Sequence, residues 1–434
     1  MMLKLTQLSG FSGGGAGAEW FMLDGDFDDN MRVGGVYRHG DFLYMRFTED
    51  DTTFDEFIGK WDLVSQAWAW FVKLPVKYGS RVPNYWGIEV DENNDVYTTA
   101  SDSSSYFHLF KLDKDNGSLI AVRKTDYHMS SSYLFEHPQQ LLFMDDGDLA
   151  MTVGASLRTF DTSLNEVNKA TTPYGFSGIA RDGLIYDVYT DASLAKYTPQ
   201  KFAFGDLTTP TAYGDDVKDP VNGVRAGYAC GLGDGGLLFA FTNYSYLYKF
   251  IFIVERFNSS MESVWRHQWD QPLYYCESAY GGGMQKNADG LFAYHTRYTD
   301  LAGKTASNYY IINLSTGQRV CRILTENTVE GTSFLNSNAR HLTADEFIFG
   351  GYMVNTASGK CKSFIFCIPV SELSVPQVVM VGNYRIEITD PGTATIVAPI
   401  TNIGVSGSVN SLAAATTPAG STSNTTPPSL TKTL

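Results

Sequence analysis

The chain has 434 residues and a net charge of −15, from 47 acidic against 32 basic side chains. That balance argues against a nucleic-acid surface, which needs a basic patch to neutralise phosphates. Charged residues at 18%, aromatics at 14% and 41 glycines suit strands and tight turns rather than long amphipathic helices, and no apolar run reaches the length of a membrane span.

In chain order, residues 1–32 form a Gly-rich lead-in. Its first ten residues lack the basic-then-apolar pattern of a secretory leader. Residues 10–17 are mostly glycine, and residues 20–23 read as a strand. Residues 33–374 then repeat one pattern at intervals of about 50 residues, the signature of stacked similar units. Each unit has an early turn: Gly40-Asp41, Asn94-Asp95, Gly147-Asp148, Asp182-Gly183, Asp234-Gly235, Asp289-Gly290 and Asp345-Glu346. Gly, Asn and Asp suit such turns because they tolerate positive φ. Each unit also has a later turn, placed at Asp62, Asp113, Asp161, Thr198, Asn258, Ser315 and Ser371, just after an apolar residue. Two turns flanked by apolar runs imply four strands per unit. Runs such as residues 364–368 are apolar throughout, as expected where both faces of a strand are covered.

Residues 375–403 hold short strand-like runs at 378–381, 384–389 and 394–400, which either close a ring or form a small module beyond it. Residues 404–434 are Gly, Ser, Thr, Ala and Pro with few large apolar side chains. Such a tail cannot bury enough surface to order itself, and a neighbouring subunit is the expected way to hold it. Pro418, Pro427, Pro428, Leu430 and Leu434 are its partner-binding candidates.

The motifs that suggest chemistry lack the structure their chemistry requires. Gly10-Phe11-Ser12-Gly13-Gly14 satisfies G-x-S-x-G, but the strand-to-helix turn that exposes such a serine is missing. Gly13, Gly15 and Ala18 mimic a dinucleotide fingerprint without its helix. Asp113-Lys114-Asp115-Asn116-Gly117 lacks the further ligands of a calcium loop and reads as a hairpin tip. His39, His108, His128, His137, His267, His295 and His341 are scattered, with no pair at metal-ligand spacing. The five cysteines, Cys230, Cys276, Cys321, Cys361 and Cys367, are odd in number and read as buried free thiols. No catalytic or metal-binding residue is therefore assigned, and no cofactor is expected. Tyr244, Tyr246 and Tyr248 alternate along one run, as do Trp265 and Trp269 around His267. Each set shares a strand face, which either packs between units or stacks on sugar rings.

The repeated strand–turn–strand unit resembles the blades of the seven-bladed β-propeller superfamily, in the company of WD-repeat and quinoprotein-like rings. Trp61-Asp62 sits where the WD dipeptide ends a blade's third strand. The resemblance implies an all-β, seven-bladed propeller with a short C-terminal β segment and an extended Ser/Thr/Pro-rich tail, and carries over no quinone. The Gly-Phe-Ser-Gly-Gly-Gly lead, the acidic aromatic β body and the Ser/Thr/Pro tail together resemble virion proteins of tailed bacteriophages. That resemblance implies a structural or attachment component of the particle, tail-associated and made in the host cytoplasm. Such a component binds neighbouring virion subunits in a symmetric assembly and, through its loops, host-surface glycans. Two other readings stay open from the residues: a glycosidase or lyase with acids gathered at the propeller mouth, and a cytoplasmic propeller scaffold.

Overall fold

A computed structural model describes residues 6–7, 21–24, 30–49, 55–77, 87–102, 104, 106–128, 139–153, 156–171, 178–179, 184–191, 196–203, 210–213, 217–218, 224–232, 234–244, 250–270, 285–286, 290–299, 305–327, 332–355, 357–381, 384–389 and 395–396. Their strands form seven antiparallel sheets. Sheet one is Met31–His39, Phe42–Glu49, Asp55–Asp62 and Ala67–Lys77, in that spatial order. Sheets two to six follow the same meander over residues 88–128, 139–171, 178–218, 224–270 and 285–327. Sheet seven takes three strands from residues 332–369 and its fourth, Phe21–Asp24, from the lead-in. Consecutive sheets pack on one another, and sheet seven returns to sheet one, where Thr332–Leu342 lies against Met31–His39. The chain is a β-propeller.

The closure explains why residues 20–23 read as a strand. Phe21 lies opposite Cys367 and Asp24 opposite Phe364, and Thr6–Gln7 adds outside them. The turn placed at Ser371 is present, but the strand after it does not belong to this sheet. The chain passes from Pro369 into a short 3-10 turn, Val370–Glu372, and leaves sheet seven, because the fourth strand comes from the other end. The turn placed at Thr198 is corrected. Thr198 is buried inside the strand Lys196–Ala203, opposite Tyr189, as suits a β-branched residue beside Tyr197. The next strand of that sheet begins at Ala212.

The C-terminal strands neither close the ring nor stand apart. Gln377–Val381 and Tyr384–Thr389 form a hairpin added to the outer strand of sheet six, Arg319–Asn327. Thr395–Ile396 pairs with the outer strand of sheet five, Ser263–Asp270. The hairpin is anchored by Val379, Ile386 and Ile388, which enter the core between sheets six and seven.

The core is inter-sheet by construction. In Cys361–Pro369, the side chains of Phe364, Phe366 and Ile368 join Tyr309, Ile311 and Ile323 of sheet six. Ile365 and Cys367, on the opposite face, join Val33, Val36 and Leu43 of sheet one. A period-2 strand buried on both faces accounts for its unbroken apolar sequence. Each such side chain contributes about 1.5–3 kcal/mol on burial, which a lone sheet cannot collect.

Candidate functional site

One set of ionisable groups lies at the joints between sheets, at the end carrying the early and later turns. The later turns are built alike. Asp113 Oδ1 accepts from the amides of Asp115 and Asn116 at 2.9 and 3.1 Å, while the Gly117 amide donates to Asp113 O. Asp62, Asp161, Asn258 and Asn313 close their turns the same way. The Val64 amide on Asp62 and the Asn165 side chain on Asp161 hold those carboxyls below the usual range. These oxygens serve the backbone, and the Asp113–Gly117 segment is the hairpin tip its sequence suggested.

Four of these turns, all but that of Asp62, leave a carbonyl facing the preceding sheet, and a long cation from that sheet fills it. Lys60 Nζ and Trp70 Nε1, both of sheet one, donate to Lys114 O at 3.0 Å each. Lys111 and Tyr97 of sheet two reach Thr162 O, each at 3.3 Å. Lys201 of sheet four donates to Ser259 O at 2.8 Å, and Arg256 and Trp265 of sheet five donate to Leu314 O at 2.9 and 3.0 Å. The tryptophans also cover the turn glycines. A Cβ on Gly117, at φ +70°, would stand 2.7 Å from the Trp70 ring, and one on Gly317, at φ +69°, would stand 2.6 Å from Trp265. Only glycine fits there, for backbone and steric reasons together.

Deeper in the ring, Arg46 and Glu56 are both fully buried, 2.6 Å apart. Burial pushes the Glu56 carboxyl up, with the Arg46 guanidinium opposing it. Arg46 also donates to Thr98 Oγ1 and Thr99 O of sheet two, and Thr48 donates to Glu56, so the pair ties two sheets. At the closing joint, the Arg38 amide donates to His341 Nδ1 at 2.6 Å, the Arg38 guanidinium pairs with Glu346, and Tyr37 stacks on His341 at 4.4 Å. Burial, then the charge of Arg38, lowers His341 to about 4, so the imidazole is neutral and free to accept. Ser363 Oγ donates to Met31 O at 2.6 Å and accepts from the Val33 amide at 2.8 Å.

A third group lies on sheet two. Asp102 Oδ2 lies 3.0 Å from His108 Nε2 and 2.8 Å from Lys124 Nζ, and its other oxygen accepts from the Ser104 and Tyr106 amides. Burial pushes the Asp102 carboxyl up, but the hydrogen bonds from His108 and Lys124 outweigh it and hold it well below the usual range. As a fixed anion it orders the turn that carries it.

The sequence candidates fall as follows. Trp265 is half-buried against sheet six, and Trp269 lies in the same strand. Tyr244 ends the strand Leu237–Tyr244. Tyr246, Tyr248, Pro418, Pro427, Pro428, Leu430 and Leu434 lie outside the described residues, as do Asp182-Gly183 and the Gly10–Gly14 motif. Cys321, Cys361 and Cys367 are buried free thiols, and burial pushes Cys321 up to about 12. Among the described residues, no group of three or more His, Cys, Asp or Glu is arranged to hold a metal, and no helix is long and apolar enough to cross a membrane. The joint cations Lys60, Lys111 and Arg256 were missed in the sequence. Their signal is a basic residue two places before the turn Asp or Asn: Lys60 before Asp62, Lys111 before Asp113, Arg256 before Asn258.

No protein-family profile matches the chain, and no curated protein matches its sequence. Among solved structures it is similar to BamB of Moraxella catarrhalis, with 13% identity, TM-score 0.38, and 77% of this chain and 85% of that one covered. It is similar to the WD40 domain of Neurospora crassa Pan2, with 9% identity, TM-score 0.40, and 77% and 88% covered. It is also similar to the quinohemoprotein alcohol dehydrogenase of Comamonas testosteroni, with 7% identity, TM-score 0.39, and 78% and 77% covered. These are likenesses of architecture and assign no activity.

Proposed function

We propose that this propeller acts by binding, as a structural or attachment component of a larger particle; the tail of a bacteriophage is the assembly its sequence resembles. The observation that supports this is where the chain is led after the ring. The hairpin of residues 377–389 and the strand Thr395–Ile396 run along the outer edges of sheets six and five, which brings the C-terminal chain to the rim. A tail starting there meets a neighbouring subunit before it meets the central axis. The rigid ring then presents its loops, and the aromatic run Tyr244, Tyr246 and Tyr248 is the surface proposed for stacking on host glycans.

The test is deletion of residues 404–434. The truncated chain keeps its ring, seen as an unchanged thermal transition, but no longer co-purifies with the particle. Normal incorporation overturns the anchoring role. Release of reducing ends from bacterial surface polysaccharides by the purified ring overturns the binding role in favour of a glycosidase or lyase.

A further inference from the structure

The outer strands of the ring repeat one irregularity. Just after the later turn, one residue has no partner on the neighbouring strand, a β-bulge. In sheet two it is Ile120, since Leu119 lies opposite Leu112 and Ala121 opposite Lys111. In sheets three, five and six it is Val167, Val264 and Val320. Ile120, Val167 and Val264 are 49%, 50% and 49% exposed. Val320 is half-buried, packed against the core cluster that Val379, Ile386 and Ile388 of the C-terminal hairpin help to form. Sheet six thus shows this edge taken by an added β-hairpin.

Sheet two has the corresponding edge open. On its outer strand, Leu119–His128, Leu119 and Val122 are 45% and 47% exposed on either side of Ile120. Among the described residues no strand pairs with the outer side of this one. The edge is also cationic. Arg123 is exposed and makes no ion pair among the described residues. Lys124 is half-exposed, 2.8 Å from Asp102 and 4.3 Å over the Tyr106 ring. The nearby acid, Asp126, is already held by Arg158 and by Lys169. A surplus of positive charge therefore lies beside bare aliphatic side chains, on a chain of net charge −15.

We infer that this edge docks an extended acidic and apolar segment of a partner protein, laid along residues 119–126 as the C-terminal hairpin is laid along sheet six. Beyond the bulge, Val122 and Arg123 point to opposite faces of the sheet. The segment that fits alternates aliphatic with carboxylate side chains, the first against Val122 and the second against Arg123. Charge selects the occupant. A basic strand, or the same edge of a second copy, sets like charges against Arg123 and Lys124. This names a partner surface for the binding role proposed above. It is tested on the purified chain, so its failure leaves the tail deletion to judge that role.

The test uses the full chain with a short labelled peptide of alternating valine and aspartate, and its counterpart with lysine for aspartate. Fluorescence anisotropy at physiological salt shows the aspartate peptide binding about fivefold tighter, the effect of one exposed ion pair. The net charge of the chain favours the lysine peptide over the surface as a whole, so this order reads the edge. Arg123→Glu reverses the preference. Val264→Glu, at the matching bulge of sheet five, leaves it unchanged. Hydrogen exchange of residues 119–126 in the wild type slows when the aspartate peptide binds, which decides the matter even if Arg123→Glu misfolds. Failure of the aspartate peptide to bind overturns the inference. So does equal or tighter binding of the lysine peptide, a folded Arg123→Glu chain with the wild-type preference, or protection that falls on another sheet. Protection of residues 119–126 that rises with protein concentration alone overturns it in favour of a second copy.

Discussion

The joint between sheets one and two and the joint between sheets six and seven solve one problem in opposite ways. In the first, Lys60, two places before the turn residue Asp62, crosses to a turn carbonyl of the next sheet, with the buried Arg46–Glu56 pair beneath it. In the second, Ile311 stands two places before Asn313 and is fully buried among Phe347, Phe349 and Phe366. The fold therefore needs that position filled, not charged. A directional bond fixes where a turn sits but contributes little, about 1 kcal/mol net. An apolar side chain contributes more and specifies less. The apolar solution appears between sheets six and seven, beside the sheet whose fourth strand comes from the N-terminal lead-in.

That contrast ranks the effects of substitution. Phe349→Ala, in the apolar joint, costs about 3–5 kcal/mol in urea unfolding, through lost burial and a cavity. Glu56→Ala costs about 3 kcal/mol by leaving the Arg46 cation buried without its partner, and the double change Arg46→Met, Glu56→Leu recovers most of that loss. If Glu56→Ala proves silent, the polar joint is dispensable and the contrast fails.

The closing joint is the pH-sensitive one. His341 has its folded pKa lowered from 6.5 to about 4, so the unfolded chain binds the proton first. Stability then falls as pH drops from 6.5 towards 4, at no more than about 1.4 kcal/mol per pH unit. Glu346 works the other way. Burial raises its folded pKa, with Arg38 opposing, and its contribution is present at low pH and lost as pH rises through the raised value. His341→Gln keeps an acceptor for the Arg38 amide and flattens the acid-side loss, as read by thermal melts across that window. The smallest effect is Lys60→Met, about 1 kcal/mol, since Trp70 still donates to the same carbonyl.

Much of the ring was legible because turns and strands announce themselves locally. Positive φ at Asn94 and Gly147 is where the early turns were read, and Asp62, Asp113, Asp161 and Asn258 cap the later ones. Thr198 falls at the repeat spacing of a turn, yet the β-propensity of Tyr197 and Thr198 prevails and keeps it inside a strand. The turn at Ser371 is real, but the strand after it joins another sheet, because closure by Phe21–Asp24 is a contact across the whole chain, invisible to periodicity. The joint cations were missed for a related reason. A lysine in a strand reads as solvent-facing until the next sheet's carbonyl is placed opposite it.

The ring is shut by its N-terminal strand, and one cross-link tests that closure. Phe21 lies directly opposite Cys367, within the separation a disulfide spans. Mild oxidation of the Phe21→Cys chain should join positions 21 and 367 within one molecule, as a single linked peptide in non-reducing mass spectrometry, and raise the melting temperature. A cross-link from position 21 to any other cysteine, or between molecules, contradicts the closure and the propeller account with it.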